Sequence, residues 1–295
     1  MSARVAVVIV TFRRVDVMLQ TLACVLRQTT PVVRVVVVDN DGGSDQRVRA
    51  EATALSDGVH YLALAGNLGP AAGFAAGLEW LLEADDPDWV WLLDDDSPPA
   101  PTSLASCLVV AAEAQAAGLH VGAVGNRGGH FIRGLVRHDL RRVEGGWQRA
   151  DFVLSDGAIV SSVAVAAAGV PRRDLFIMFE DIEFTSRIRL AGFDVLVRPT
   201  DGSTFLHMGS TADWRGYYQA RNHIRVALDL RQWTWLWGWV ARETGIGLHL
   251  LRERRFAGLC FRWRGALDGL LGRMGKRVDP ADPRLWKRRP PKGPR

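Results

Sequence analysis

The sequence predicts an α/β fold built on a mostly parallel, twisted sheet, and three observations carry that reading. Apolar, β-branched runs recur at 5–12, 34–40, 59–64 and 88–93, the pattern of strands buried on both faces. Helical patterns lie between them; Val15, Met18, Leu19, Leu22, Val25 and Leu26 form one stripe of a helix. Several runs end in polar residues, at the strand ends where such sheets collect ligands.

In chain order, "VAVVIVTF" is the first strand and "RVVVVDN" the second, followed by the turn residues "DGGSD". A third, "VHYLAL", leads into "AGNLGPAAGFAAGLEWLLEA", a Gly-rich turn opening an Ala/Leu-rich helix. "DWVWLL" is the fourth and runs into "DDDSPPAP". Alternation at this spacing argues for βαβ units. Downstream it loosens: "GAVGN", "GLVRHDLRRVEGGWQRADFVLSDGAIV" and "FDVLVRP" read as strands of a mixed region, with helices at 161–168 and 180–191. We therefore expect an α/β domain over 1–212, a helical Trp/Arg-rich region over 213–275 and a basic flexible tail over 276–295.

At 295 residues and 48% hydrophobic content the chain can bury a real core, which excludes disorder as its general state. The formal charge is +5, and many Lys and Arg lie after residue 221, in "RNHIR", "LLRERRF", "RWR" and "KRRPPKGPR". An anionic partner fits this asymmetry, whether a membrane surface, a phosphate-bearing substrate or nucleic acid; a merely solvated basic tail fits it as well. Cys24, Cys107 and Cys260 offer neither a CxxC pair nor a disulfide framework, so reduced thiols in a cytoplasmic protein are the simplest reading. The N-terminus lacks the features of a signal peptide, and no apolar run approaches the ~18 residues of a membrane span. The expectation is a soluble chain, bound at most to a membrane face.

Asp94, Asp95 and Asp96 repel one another unless they are solvated or share a cation. On an extended segment, residues two apart point the same way, so Asp94 and Asp96 can share a divalent ion while Asp95 faces elsewhere. Short acidic runs also occur in plain surface loops, but Asp39, Asn40, Asn67 and Gly69 converge on the same sheet edge. A second constellation is "FIMFEDIEFTSRIRL", with Glu180, Asp181 and Glu183 opening a helix. Acids in a first turn suit the macrodipole, and Glu183 with Arg187 is an i, i+4 pair. Glu180 and Asp181 adjoin apolar residues, where partial desolvation raises carboxylate basicity. His207 follows a short apolar run; with carboxylates its imidazole suits an ion such as Mn²⁺.

The ordered set "VVIVTFRR", "VVVVDNDGGSD", "GNLGPAAGFAAG", "WLLDDDS", "DGAIVSS" and "FEDIEFTSRIRLAGF", then a histidine, resembles the family 2 glycosyltransferases of GT-A fold. Within them it is most similar to bacterial cell-wall galactofuranosyl- and rhamnosyltransferases, over roughly residues 4 to 225. The resemblance implies a GT-A catalytic domain with a Rossmann-like mixed sheet and a helical C-terminal extension. It implies inverting, metal-dependent transfer of a sugar from a nucleotide diphosphate to a hydroxyl of a lipid-linked or cell-wall glycan. In this resemblance the triple-Asp form "LDDDS" favours UDP-galactofuranose as the donor, with dTDP-rhamnose next.

Carried over by position, the resemblance puts Thr11, Arg13 and Asp39 at the nucleoside and Asn67 and Gly69 near ribose and diphosphate. Asp94 and Asp95 fall in the nucleotide-sugar site, and Asp94, Asp96 and His207 hold Mn²⁺ or Mg²⁺. Asp181 matches the catalytic base. Glu180, which replaces an aspartate common in the galactofuranosyl group, and Trp147 fall on the acceptor side. The implied partners are the nucleotide-sugar donor and a glycan or polyprenyl-linked acceptor, with no nucleic acid. The protein is expected in the cytoplasm, at the inner face of the cell membrane if it touches one.

"RQWTWLWGWVARETGIGLHLLRERRF" mixes Trp with Arg as an interfacial helix does, while Trp233, Trp235, Trp237 and Trp239 can equally pack against the catalytic domain or a second subunit. Three rivals are weaker. Gly66, Gly69 and Gly73 do not make the GxGxxG of a dinucleotide enzyme, and no P-loop marks a phosphoryl-transfer enzyme. A non-catalytic glycan or nucleic-acid binder would rest on the basic C-terminal region alone.

Overall fold

The structure is a computed structural model and describes residues 3–137, 146–198 and 212–283. The first four strands are β1 (Val5–Thr11), β2 (Arg34–Asp39), β3 (Val59–Ala63) and β4 (Trp89–Asp94). They pair in parallel in the order β3-β2-β1-β4. The helices between them are α1 (Val15–Leu26), α2 (Gln46–Leu55) and α3 (Pro70–Ala84). After α4 (Ser103–Ala116) come β5 (Val121–Gly125), a hairpin of β6 (Gly128–Ile132) and β7 (Leu135–Arg137), and the short strands β8 (Gln148–Arg149) and β9 (Phe152–Val153).

Next come β10 (Ala158–Ser161), α5 (Ser162–Ala168), α6 (Glu180–Leu190) and β11 (Asp194–Val197). The main sheet continues past β4 as β10-β5-β11-β8, with β10 antiparallel to both of its neighbours. The mixed region expected downstream is thus one half of a single eight-stranded sheet, and β7-β6-β9 forms a small second sheet.

Period-two alternation divides the strand residues between two cores. Val5, Val7, Ile9, Trp91 and Leu93 face α1, α2 and α4, while Ala6, Val8, Val10, Val90 and Leu92 face α3, α5 and α6. Both layers are apolar because the sheet is covered on both sides. α3 sits unusually close: a Cβ at Gly73 or Gly77 would lie 2.5 Å from Val10 or Val8. The helices α2 and α4 are not marked in the sequence as the others are. α2 buries only Val48 and Ala52, and α4 carries apolar residues on its exposed side as well, Val109 among them.

From residue 213 the chain is helical as expected: α7 (Asp213–Asp229), α8 (Trp233–Arg252) and α9 (Phe256–Leu270). α7 and α8 close a third core with Phe152, Leu175, Phe179 and Ile182. Tyr217 and Tyr218 on α7 build a fourth with Phe176 and Phe261.

Candidate active site

Strand register sets the base of the site. Thr11 pairs with Asp39, Asp39 with Ala63 and Val10 with Asp94, so the carboxyl ends of the parallel strands form one edge. Asp156 joins that edge from the entry to the reversed strand β10, and Arg127 comes from just beyond β5.

The three aspartates are not extended beyond Asp94, since Asp95 and Asp96 lie in a turn. This corrects the alternation argument; what differs among the three is burial, complete for Asp95 alone. Asp95 is fully buried; it accepts from the Thr11 hydroxyl at 2.8 Å and pairs with Arg14. Its backbone carbonyl accepts from Thr21 Oγ1 at 2.7 Å. The middle carboxylate thereby ties β4 to the β1–α1 connection, and the Thr11 side chain is occupied in holding it. Burial pushes the Asp95 carboxyl up to about 6 even with Arg14 beside it. Asp96 meets the same guanidinium at 2.5 Å.

Asp94 points into a crowd of like charge. Burial, followed by Asp156, Asp95, Asp96 and Glu180, holds it well above the usual carboxylate range. Asp156 is braced by Ser97 Oγ at 2.8 Å and Arg127 at 3.0 Å, and its own pKa is raised by burial. Carboxylates are the hard oxygen donors that a divalent cation takes, and Asp94 and Asp156 bring two of them to this edge. Among the described residues no three His, Cys, Asp or Glu side chains stand in a metal-holding group, and His207 lies outside those residues.

Along the same edge, Asp39 is buried and accepts from Tyr61 Oη at 2.8 Å and the Asp41 amide at 2.9 Å. Arg13 is exposed and pairs with Asp41 at 2.8 Å. Asn40 receives the Leu68 amide at 2.8 Å, and Asn67 receives that of Gly69 at 3.2 Å, which fixes the turn opening α3. Gly69 has φ +86° and abuts the Phe176 carbonyl, so a side chain is excluded there on two counts.

That contact brings in the other wall. Phe176, Met178 and Phe179 all have positive φ, an unfavourable conformation for residues with side chains. Asn222 on α7 holds the loop by donating to the carbonyls of Leu175 (3.0 Å), Ile177 (3.0 Å) and Met178 (2.6 Å). Arg221 adds a bond of 2.8 Å to the Leu175 carbonyl. The loop delivers Glu180 and Asp181 at the start of α6. Burial and then Asp181 push Glu180 up to about 8, against attraction from Arg215 of α7. Burial pushes Asp181 up to about 6, although the Ile182 amide donates to its Oδ1 at 2.7 Å. Glu180 Oε2 is buried without a hydrogen-bond partner.

Thus Asp94, Asp95, Asp96, Glu180 and Asp181 come together, and Asp39, Asn67 and Gly69 continue the same edge. Trp147 is half-buried and packs against the first core layer. Arg14, Arg127, Asp156, Arg215 and Asn222 escaped sequence reasoning. Asp156 had a signal, since it stands in "SDGA" directly before a strand; the others depend on tertiary contacts.

Comparison with known proteins identifies the family and the fold. The model of the family described as glycosyl transferase family 2 matches residues 6–160. The galactofuranosyltransferase GlfT1 of Mycobacterium tuberculosis is 33% identical over 203 residues, covering 65% of this chain and 66% of the relative. GlfT1 of Mycolicibacterium smegmatis is 30% identical over 239 residues, covering 76% and 78%. The chain thus spans about two thirds of the length of the first relative. Similar solved structures include a mannosyltransferase from Pyrobaculum calidifontis in complex with GDP-Man and Mn²⁺, with TM-score 0.58, 15% identity and coverage of 92% and 88%. Another is S. aureus TarS 1–349 in complex with UDP, with TM-score 0.54, 17% identity and coverage of 76% and 64%. The mixed sheet is that of GT-A type glycosyltransferases, and the chain belongs to glycosyl transferase family 2.

Proposed function

We propose that the chain transfers a sugar from a nucleotide diphosphate to a glycan hydroxyl, with inversion at the anomeric carbon. The donor is UDP-galactofuranose, ahead of dTDP-rhamnose, and the acceptor a lipid-linked or cell-wall glycan presented on the cytoplasmic side of the membrane. The likeness to proteins named galactofuranosyltransferase supports the donor class. The observation that carries the mechanism is Asp181, a half-buried carboxylate with its pKa raised to about 6, delivered to the strand-end aspartates by a loop braced from α7.

At neutral pH Asp181 is ionised yet more basic than an exposed carboxylate, as a proton acceptor for a sugar hydroxyl needs to be. The acceptor oxygen bonds the anomeric carbon, its proton passes to Asp181, and the nucleotide diphosphate departs from the opposite face. Glu180, raised to about 8, is mostly protonated at neutral pH and can donate a hydrogen bond to a sugar oxygen. On the donor side Asp39, Arg13, Asn67 and Gly69 line the nucleotide. Arg14 and Arg215 place positive charge near the strand-end aspartates, where the diphosphate would lie. Asp95 acts on the donor through the loop that it ties to Thr11.

Asp94 and Asp96, with His207, are the residues proposed to hold Mn²⁺ or Mg²⁺, and Asp156 is the further carboxylate on that side. When bound, the cation offsets the charge gathering on the leaving diphosphate. Residues 1–212 are proposed as the catalytic unit, 213–275 as the helical extension that braces it, and 276–295 as its basic tail.

The test is transfer from UDP-galactofuranose and from dTDP-rhamnose to a lipid-linked glycan in the presence of Mn²⁺. Asp181→Asn is expected to lower kcat by ~10²–10⁴ while calorimetric UDP binding is retained. Asp96→Ala is expected to abolish metal-dependent turnover. Unchanged turnover in Asp181→Asn would remove the base assignment, and transfer from neither sugar would remove the donor class.

A further inference from the structure

Helix α9 has apolar side chains on its outer face as well as its inner one. Its inner face lies close against α7: Gly265 and Gly269 press on the backbone at Tyr217 and Arg221, Gly258 meets Asp213, and Phe261 and Asp268 are buried beside them. Its outer face carries Phe256, Cys260, Trp263, Leu267 and Leu270, at i, i+4, i+7, i+11 and i+14, all exposed. Trp263 is 71% exposed. α8 repeats the pattern: Trp235 turns inward and stacks on Phe131 at 3.6 Å, while Trp237, 76% exposed, faces out with Trp233, Val240 and Leu248. Large apolar side chains thus stand exposed on both helices, where water disfavours them and the rest of the described chain does not cover them.

The charge around that surface selects its occupant. Residues 230–277 hold ten Lys and Arg against three Asp and Glu. Two of the acids already have cationic partners: Asp268 is buried beside Arg264 and Arg273, and Glu243 lies beside Arg262. Arg252 and Arg254 are exposed at the connection from α8 to α9. A second copy of the chain would set one basic rim against another, whereas an anionic bilayer meets both the rim and the apolar face. No helix among the described residues is long and apolar enough to cross a membrane, so the contact would lie in the interface plane, with indoles at headgroup depth.

We propose that the outer faces of α8 and α9 dock the protein onto an anionic lipid surface. Trp237 and Trp263 insert among the headgroups, and Arg252 and Arg254 supply the electrostatic attraction. This goes beyond the glycosyl-transfer reading and is tested without turnover.

The full-length protein is sedimented with vesicles of phosphatidylcholine alone or mixed with phosphatidylglycerol. Binding is expected only to the mixed vesicles and to weaken with salt. Trp237→Gln with Trp263→Gln is expected to lower partitioning on the order of tenfold or more. Arg252→Gln with Arg254→Gln is expected to weaken the preference for the anionic lipid. In a Cys24→Ser chain, an environment-sensitive fluorophore on Cys260 is expected to shift to the blue on adding mixed vesicles. Equal binding by the Trp variant, or no binding by the parent, overturns the proposal. So does a blue shift that grows with protein concentration in the absence of lipid, which would assign the face to a second copy.

Discussion

Glu180 and Asp181 illustrate how one environment gives neighbouring carboxylates different states. Both are raised chiefly by burial, but the Ile182 amide and Arg127 favour the anion of Asp181, which stays near 6 while Glu180 rises to about 8. The acid limb of kcat/KM is therefore expected near pH 6, with rate lost below it as Asp181 gains a proton; a pH–rate profile checks this. Stability should move the opposite way. Between 4.5 and about 8 the folded protein keeps a proton on Glu180 that the unfolded chain has released, so this group's ionisation destabilises the fold increasingly as pH rises through that window. Glu180→Gln is expected to raise Tm in metal-free buffer at pH 8–9 and to change it little below pH 5, as thermal melts across pH would show. The sequence showed that Glu180 and Asp181 adjoin apolar residues. It did not show what separates their pKa values, because Arg127 and Arg215 arrive from distant parts of the chain.

The loop before α6 depends most on its neighbours. Three side-chain-bearing residues with positive φ, each costing roughly 1–3 kcal/mol, persist only where surrounding contacts over-determine them. Asn222 supplies much of that constraint by satisfying three carbonyls with one amide group. Asn222→Ala would leave those acceptors without that donor, at a cost of ~1–3 kcal/mol for the buried groups. It is expected to lower kcat well before it changes donor KM, since the turns at Asn40 and Asn67, proposed to line the donor, are untouched; steady-state kinetics with varied donor separates the two. The strands of the first half were legible because strands buried on both faces leave continuous apolar runs. α2 was harder to read because it buries so little, and the positive φ of Phe176, Met178 and Phe179 in "FIMF" has no local signature at all, since these residues ordinarily avoid it.

At the scale of the molecule, the segment that matches the family model ends within β10, yet β10 is an interior strand lying between β4 and β5. A chain cut after residue 160 would lack α5, α6 and β11, leaving the far edge of β5 and much of the second core open. Such a fragment is expected to aggregate or to show no cooperative melt, whereas the full chain melts as a unit in calorimetry. The reversed strand also bears on how the protein is made. A growing chain can assemble β3-β2-β1-β4 as soon as residue 94 has left the ribosome, but β5 must wait for β10 before it joins them. Asp181 then waits for Asn222 to emerge. Vectorial synthesis therefore completes the Asp39 and Asp94 strand ends first and the loop that carries Glu180 and Asp181 last.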